Sequence, residues 1–204
     1  MDGTGRVIVV SGPSGVGKGT IIKELQKLYE NSVPSVSVTS REPRIGEIEG
    51  VHYFFKSKAE FEEMIEGDLF VEWDVYLGNY YGTSKPFINS LLAEGKNVLF
   101  DITYKGAFAM KENYQECILV FLLPPSLKEL RRRLEARGTE SAEAVEKRLT
   151  VAESELEFVN RFDYCVTNNI VKEAAEKIGA IVIAEGCKLR GDAAEIIRHI
   201  VDER

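Results

Sequence analysis

The sequence predicts an α/β domain in which helices flank a parallel β-sheet, with a small mixed α/β lobe and a pair of basic helices attached. Short apolar runs alternate with longer helical patterns, as in sheets whose parallel strands are joined by helices. Between residues 41 and 83 the pattern changes to short aromatic runs around one helix. A length of 204 residues suits one compact domain better than two.

The core strands are predicted at five runs rich in β-branched residues. They are Arg6–Ser11, Val33–Val38, Asn97–Asp101, Cys117–Leu122 and Tyr164–Thr167. A first helix is predicted at about Gly19–Tyr29, because apolar residues recur there at helical spacing on one face: Ile21, Ile22, Leu25 and Leu28.

The mixed lobe is predicted to contain three short strands and one helix. The strands are Tyr53–Phe55, Phe70–Val75 and Tyr80–Tyr81, and the helix is Lys58–Glu66. A capping box of Ser57 with Glu60 marks the start of that helix, and a second box pairs Ser126 with Glu129. We place Trp73 in the core, with a base-stacking platform as the alternative.

Two basic helices are predicted between residues 127 and 149, joined by the turn Gly138–Thr139. Their cations are Arg131, Arg132, Arg133, Arg137, Lys147 and Arg148. Such a hairpin can form a lid, although Arg131 and Arg132 are expected to face solvent. We therefore divide the single domain into a core (1–36, 84–126 and 150–204), a lobe (about 37–83) and a lid (about 127–149).

The composition is that of a soluble globular protein, with 44% hydrophobic and 29% charged residues. Its 26 basic and 33 acidic residues give a net charge of −7, which argues against nucleic acid as a partner. Cys117, Cys165 and Cys187 lack metal-ligand spacing, so we expect buried free thiols. No apolar stretch approaches the roughly 20 residues of a membrane span, and a cytoplasmic protein is expected.

A glycine-rich loop links the first strand to the first helix. It reads GPSGVGKGT and comprises Gly12, Pro13, Ser14, Gly15, Val16, Gly17, Lys18, Gly19 and Thr20. Backbone N–H groups and the helix N-terminus can bind phosphate there, and Lys18 can reach the β- and γ-phosphates of a nucleotide. The magnesium-binding hydroxyl expected directly after Lys18 is displaced to Thr20, so phosphate oxygens and water would hold most of the metal.

A second cluster of phosphate-binding side chains follows at Ser37–Tyr53. Arg41 and Arg44 are three residues apart, with Tyr53 downstream. Two guanidinium groups and a phenol can grip a phosphate monoester from several sides. A solvated basic turn is the alternative interpretation of this segment.

Taken together, the motifs resemble those of the guanylate kinase family. GPSGVGKGT, SVTSREPRIGEIEGVHYFF, FVEW, GNYYGT, LPPSLKEL and RRLEARGTE occur in the family's order between about Arg6 and Ile178. The resemblance implies a P-loop kinase fold and direct in-line transfer of a phosphoryl group from ATP to GMP, or to dGMP, with Mg²⁺ as cofactor. ADP and GDP would be the products.

The resemblance also implies roles for individual residues. Those of the GMP site are Arg41, Arg44, Tyr53 and Tyr81 at the phosphate, Ser37, Glu72 and Thr83 at the guanine, and Asp101. The glycine-rich loop and Asn168 would bind ATP, with a plain turn residue as the alternative for Asn168. Thr20 and Asp101 would approach the metal. The catalytic set would be Lys18, Arg41, Arg133, Arg137 and Arg148. A carboxylate at position 72 can accept hydrogen bonds from both guanine N1–H and the amino group, which adenine cannot offer in that arrangement.

The chain departs from the family after the third core strand, where the family carries an acid-Ile-Asp-x-Gln-Gly pattern. Asp101 is retained, but Thr103 replaces the second acid and Lys105 the glutamine. We expect a working kinase that is slower or altered in acceptor preference. Two alternatives are a kinase for another small phosphorylated acceptor, such as AMP or a ribose phosphate, and a guanylate-kinase-like binding module with weakened catalysis. The retained Lys18 and lid arginines argue against the module.

Overall fold

The computed structural model describes residues 5–76, 78–136, 141–189, 197–198 and 201. Its strands are β1 (Val7–Ser11), β2 (Ser32–Pro34), β3 (Ser37–Thr39), β4 (Tyr53–Phe55), β5 (Phe70–Tyr76), β6 (Asn79–Ser84), β7 (Asn97–Asp101), β8 (Ile118–Leu123) and β9 (Tyr164–Thr167). Its helices are α1 (Lys18–Leu28), α2 (Lys58–Glu66), α3 (Lys85–Ala93), α4 (Tyr104–Asn113), α5 (Leu127–Glu135), α6 (Ala142–Leu156) and α7 (Val171–Gly186).

Five strands form a parallel sheet in the order β2-β7-β1-β8-β9. β1 is central, and the chain reaches β7 on one side of it and β8 on the other. The carboxyl ends of β1, β7 and β8 therefore meet at the point where the strand order reverses, which is where open α/β sheets bind ligands. The predicted parallel core is confirmed.

Helices cover both faces of this sheet, which explains why its strands are apolar at nearly every position. On one face Ile8, Val10 and Val120 pack with residues of α1 and α7. On the other face Val9 and Phe100 pack with residues of α3 and α4. The sheet is thus held rigid between two buried layers, and its carboxyl edge is a fixed platform for the loops that follow.

Four strands form a second, mixed sheet in the order β4-β3-β6-β5. The predicted strand Val33–Val38 is wrong as a single element, because the chain leaves the parallel sheet after Pro34 and enters the mixed sheet at Ser37. Proline has no N–H to continue a ladder, so it suits the end of a strand. Trp73 is 45% exposed on the edge strand β5, which corrects its predicted place in the core.

The two predicted capping boxes differ in the structure. At α2 the box is complete, with Ser57 accepting from the Glu60 N–H and Glu60 accepting from the Ser57 N–H. At α5 Ser126 accepts from the Glu129 N–H, but the Glu129 carboxylate instead bonds to Arg132 and Arg133. The sequence motif thus predicted both helix starts but only one complete box.

The predicted lid helices are α5 and α6, which pack through Leu130, Leu134, Val145, Leu149 and Ala152. The predicted turn Gly138–Thr139 lies outside the described residues, and so does most of the C-terminal segment. All three cysteines were expected to be buried. Cys117 is buried, but Cys165 and Cys187 are exposed. Within the described part of the chain, no helix combines the length and apolar character that crossing a membrane requires.

Candidate active site

The loop between β1 and α1 depends on glycines for its shape. Gly12, Gly15 and Gly17 have φ angles of 138°, 88° and 103°, a region that other residues rarely adopt. A Cβ atom at Gly12 would lie 2.4 Å from the Leu122 carbonyl oxygen, and one at Gly15 would lie 2.6 Å from a methyl group of Leu134. The glycines therefore allow both the turn and the close approach of β8 and α5.

Lys18 lies over this loop at the start of α1. Its Nζ donates to the carbonyl oxygen of Gly12 at 2.7 Å and to that of Pro13 at 3.4 Å. The adjoining cavity, about 430 Å³ in volume, is lined by Ser14, Gly15, Gly17, Lys18, Gly19, Thr20, Lys23 and Asp101. Six of the predicted ATP-binding residues thus share one cavity, whereas the Val16 side chain is buried in the core.

Asn168 braces the loop from the end of β9. Its side chain is buried, and Nδ2 donates to the Val16 carbonyl oxygen at 2.8 Å. Arg133 contacts the same place, donating to the Asn168 carbonyl oxygen at 3.0 Å and to Val16 at 3.4 Å. These bonds tie the loop to β9 and α5. The part of Asn168 in ATP binding stays a prediction.

We expect Asn168→Ala to lower the free energy of unfolding by about 1–3 kcal/mol, because the buried Val16 carbonyl loses its best donor. Urea denaturation would measure the change. Asn169→Ala is the matched control, since the neighbouring side chain is exposed and its removal should leave the midpoint unchanged. Equal midpoints for both variants would contradict the bracing role.

The predicted lid arginines reach the loop to different extents. Arg148 donates to Ser14 Oγ at 2.8 Å, and Arg133 is held by Glu129 at 2.9 Å. Hydrogen bonds from Arg132 and Arg133 lower the pKa of Glu129 to about 2, so this carboxylate stays ionised and keeps its arginines in place. The third predicted lid arginine, Arg137, lies outside the described residues.

Arg41 lies in a cluster with two aromatic rings of the mixed sheet. Its guanidinium carbon is 5.5 Å from the centre of the Tyr53 ring, and the Tyr53 and Tyr81 rings are 6.1 Å apart. The predicted phosphate-binding residues Arg41, Tyr53 and Tyr81 are thus brought together. The side chain of Arg44, in the loop after β3, is exposed.

Glu47 forms a salt bridge with the guanidinium group of Arg41, a contact that was not predicted from the sequence. Its two carboxylate oxygens accept from Arg41 at 2.9 and 3.0 Å, and one also accepts from the Arg44 backbone N–H at 2.7 Å. The hydrogen bond from Arg41 is the main cause that lowers the pKa of Glu47 to about 2, and the Arg44 backbone N–H adds to the shift. An acid six residues after Arg41 was the available signal, but loop conformation decides whether such a pair forms.

The predicted guanine-recognition residues lie on β3, β5 and β6. Thr83 Oγ1 donates to Glu72 Oε1 at 2.6 Å, because antiparallel pairing puts these residues opposite each other. Ser37 and Thr83 line a cavity of about 320 Å³. Glu72 lines another of about 520 Å³ together with Lys18 and Asp101.

Asp101, at the carboxyl end of β7, borders all three cavities. Its side chain is exposed. Desolvation of the carboxyl by neighbouring protein atoms raises its pKa above the ordinary value, and the positive charge of Lys18 opposes that shift. Asp101 therefore lies between the glycine-rich loop and the predicted guanine-recognition residues.

Thr103 and Lys105, the two departures from the family pattern, lie in different surroundings. Thr103 is the N-cap of α4, and its Oγ1 accepts from the Gly106 N–H at 3.4 Å. A hydroxyl serves that cap well, so the replacement retains a local structural use. Lys105 lines the 520 Å³ cavity and adds a cation opposite Glu72 and Asp101.

Few side chains beside the glycine-rich loop could coordinate a magnesium ion. Among the described residues no three His, Cys, Asp or Glu side chains form a metal-binding group. Asp101 Oδ2 lies 3.4 Å from the position of a Cβ on Gly19, and Thr20 lines the same cavity. One carboxylate and one hydroxyl fit Mg²⁺, which keeps several waters and binds substrate phosphates in nucleotide sites.

Comparisons with known proteins agree with this geometry. The guanylate kinase family model matches residues 4–185. The chain is 47% identical over 184 residues to a guanylate kinase of Halalkalibacterium halodurans, covering 90% of each chain. It is 48% identical over 185 residues to one of Caldanaerobacter subterraneus subsp. tengcongensis, covering 91% of this chain and 90% of the relative.

A solved structure resembles the whole fold as well. The crystal structure of guanylate kinase from Anaplasma phagocytophilum aligns with a TM-score of 0.67 and 33% sequence identity, covering 91% of this chain and 88% of that one. Sequence and fold thus agree over about nine tenths of the chain. Because the family model and these relatives all match across the glycine-rich loop, the mixed sheet and helices α5 and α6, the chain belongs to the guanylate kinase family.

Proposed function

We propose that this protein transfers the γ-phosphoryl group of ATP to GMP, giving ADP and GDP. The observation that carries the proposal is the position of Asp101, which borders the cavities of the phosphate-binding loop and of the guanine-recognition residues. Donor and acceptor phosphates would meet beside it and near Lys18. Direct transfer needs that proximity and no covalent intermediate.

The residues of the site supply position and positive charge. Lys18 holds the β- and γ-phosphates, and Arg133 and Arg148 place their charges at the same loop. On the acceptor side Arg41, with Tyr53 and Tyr81, binds the GMP phosphate once it displaces Glu47. Phosphoryl transfer depends chiefly on such placement and on neutralising charge on the transferring group.

Recognition of the base falls to Ser37, Glu72 and Thr83. The Thr83 hydroxyl fixes one oxygen of Glu72, which leaves the carboxylate oriented to accept from guanine. Adenine presents no matching pair of donors, so its binding would leave the half-buried carboxylate without the hydrogen bonds that guanine supplies. dGMP, which has the same base, is expected to be an acceptor too.

Thr20 and Asp101 are the residues that would approach Mg²⁺. When bound, the ion would neutralise phosphate charge and help orient the oxygens. We further propose that the mixed sheet region (about 37–83) and the lid (about 127–149) act as mobile parts around the core, and that closing them excludes water. The cytoplasmic location stays a prediction.

The test is ADP formation with ATP and Mg²⁺, using GMP, dGMP, AMP, CMP and UMP as acceptors and a reaction without acceptor as control. We expect turnover with GMP at least about a hundredfold above that with AMP, because a hydrogen-bonding site rejects a base lacking its donors. Equal turnover with AMP would favour the kinase of another acceptor. Binding of GMP without any turnover would favour the binding module and assign the loss to Thr103 and Lys105.

A further inference from the structure

Lys23, on α1, borders two of the cavities of the site. It lines the cavity of the glycine-rich loop, about 430 Å³ in volume, and also the cavity of about 320 Å³ that contains Ser37 and Thr83. Gly19 and Asp101 line both cavities as well. Lys23 was not predicted from the sequence as a site residue. Its side chain is exposed, so a bound substrate can contact it.

The rotation of α1 fixes the side of the helix on which Lys23 lies. Positions 19 and 23 are four residues apart and therefore share one face. A Cβ atom on Gly19 would lie 3.4 Å from Oδ2 of Asp101, so this face is directed at the carboxyl end of β7. Another face of α1 is buried in the core through Ile21, Ile22 and Leu25. That burial holds Lys23 on the side of the two cavities.

The Lys23 side chain extends towards the glycine-rich loop. Side chains of an α-helix tilt towards its N-terminus, and α1 begins at Lys18, in that loop. The stem of Lys23 therefore covers the preceding turn, where Gly19 has no side chain to obstruct it. Four methylene groups can span the rise of one turn, about 5.4 Å, which brings the space beside Asp101 within reach of the ammonium group.

The ammonium group of Lys23 is available to a ligand. In the described part of the chain no hydrogen bond or ion pair involves it, whereas Lys27, one turn further along α1, pairs with Glu24 at 3.0 Å. Asp101 places a negative charge where the two cavities join, and that charge repels phosphate groups. A cation at the same junction offsets the repulsion when two nucleotides bring their phosphates together there.

We propose that Lys23 is a further catalytic residue, whose ammonium group donates to the phosphoryl group as it passes from the donor to the acceptor nucleotide. Lys18 acts on the donor side and Arg41 on the acceptor side, so Lys23 supplies positive charge between them. Charge on the oxygens of the transferring group is what such a site must neutralise. The inference rests on the proposed function, since it takes the two cavities to be parts of the ATP and GMP sites.

The test compares Lys23→Met with Lys27→Met, which removes the same charge one turn away at an exposed position of α1. Steady-state kinetics with ATP, Mg²⁺ and varied GMP would give kcat and KM. We expect Lys23→Met to lower kcat about 10–30-fold, because charge placed at the transferring group stabilises the transition state. KM for GMP should change by less than about twofold, since the contact is made during transfer. Lys23→Arg keeps the charge and should recover most of the loss, and Lys27→Met should match the wild type.

Calorimetric titration with GMP would count the binding sites in each preparation, so that kcat is expressed per folded molecule. The product ratio from a mixture of GMP and AMP should stay that of the wild type, because Lys23 contacts the phosphoryl group and not the base. A kcat of Lys23→Met within about twofold of the wild type, an altered product ratio or an equal loss in Lys23→Arg overturns the inference. A wild type that phosphorylates GMP alongside such a result leaves the proposed function standing, whereas a wild type without turnover overturns both.

Discussion

Lys18→Met is expected to lower kcat about 10³-fold while the protein stays folded and still binds GMP. The methionine keeps most of the aliphatic stem but removes the ammonium group, which lies over the loop within 2.7 Å of the Gly12 carbonyl oxygen. A preorganised positive charge acts most strongly in the transition state, where charge spreads over the transferring phosphoryl oxygens. Loss of one such group typically costs about 3–4 kcal/mol of transition-state stabilisation.

Steady-state kinetics with saturating ATP and GMP would measure this loss. Lys27→Met is the matched control, because Lys27 lies on the same helix, is exposed and pairs only at the surface with Glu24. Its kcat should equal that of the wild type. A Lys18→Met enzyme within about tenfold of the wild type would show that Arg133 and Arg148 supply most of the positive charge, contrary to the role proposed for Lys18.

The parallel core was predictable because both of its faces are buried. β8 is a continuous apolar run, β7 has an apolar run from Val98 to Phe100, and Gly12, Gly15 and Gly17 mark the turn between β1 and α1. Those features depend on residues close together in the sequence. The break between β2 and β3 was missed, since both halves are short and β-branched and only tertiary pairing assigns them to different sheets.

The site was predictable where a motif matches the family's pattern and less so where contacts cross the fold. Glu72 and Thr83 were named in advance, and antiparallel pairing of β5 and β6 puts them together. The bracing of Val16 by Asn168 joins residues 152 positions apart and left no local signal.

Glu72→Gln is expected to lower kcat/KM for GMP by about 10²–10³-fold and to leave the low activity with AMP unchanged. Guanine offers two donors, N1–H and the amino group, to the two oxygens of a carboxylate. Glutamine provides one oxygen and sets an NH₂ group against a guanine donor, so a charged hydrogen bond is lost and a donor is left unpaired. Together these effects cost roughly 3–4 kcal/mol.

Competition between GMP and AMP in one reaction would measure the discrimination directly, and the ratio of products does not depend on the amount of folded enzyme. Glu63→Gln is the control, since it neutralises an exposed carboxylate on α2 of the same region. The Thr83 hydroxyl should still donate to the glutamine oxygen, which keeps the side chain in place and confines the change to the base. Only guanine presents two donors to the carboxylate. A product ratio of GMP to AMP equal to that of the wild type would therefore mean that Glu72 does not recognise the base. The specificity would then come from Ser37, Thr83 and the backbone around them.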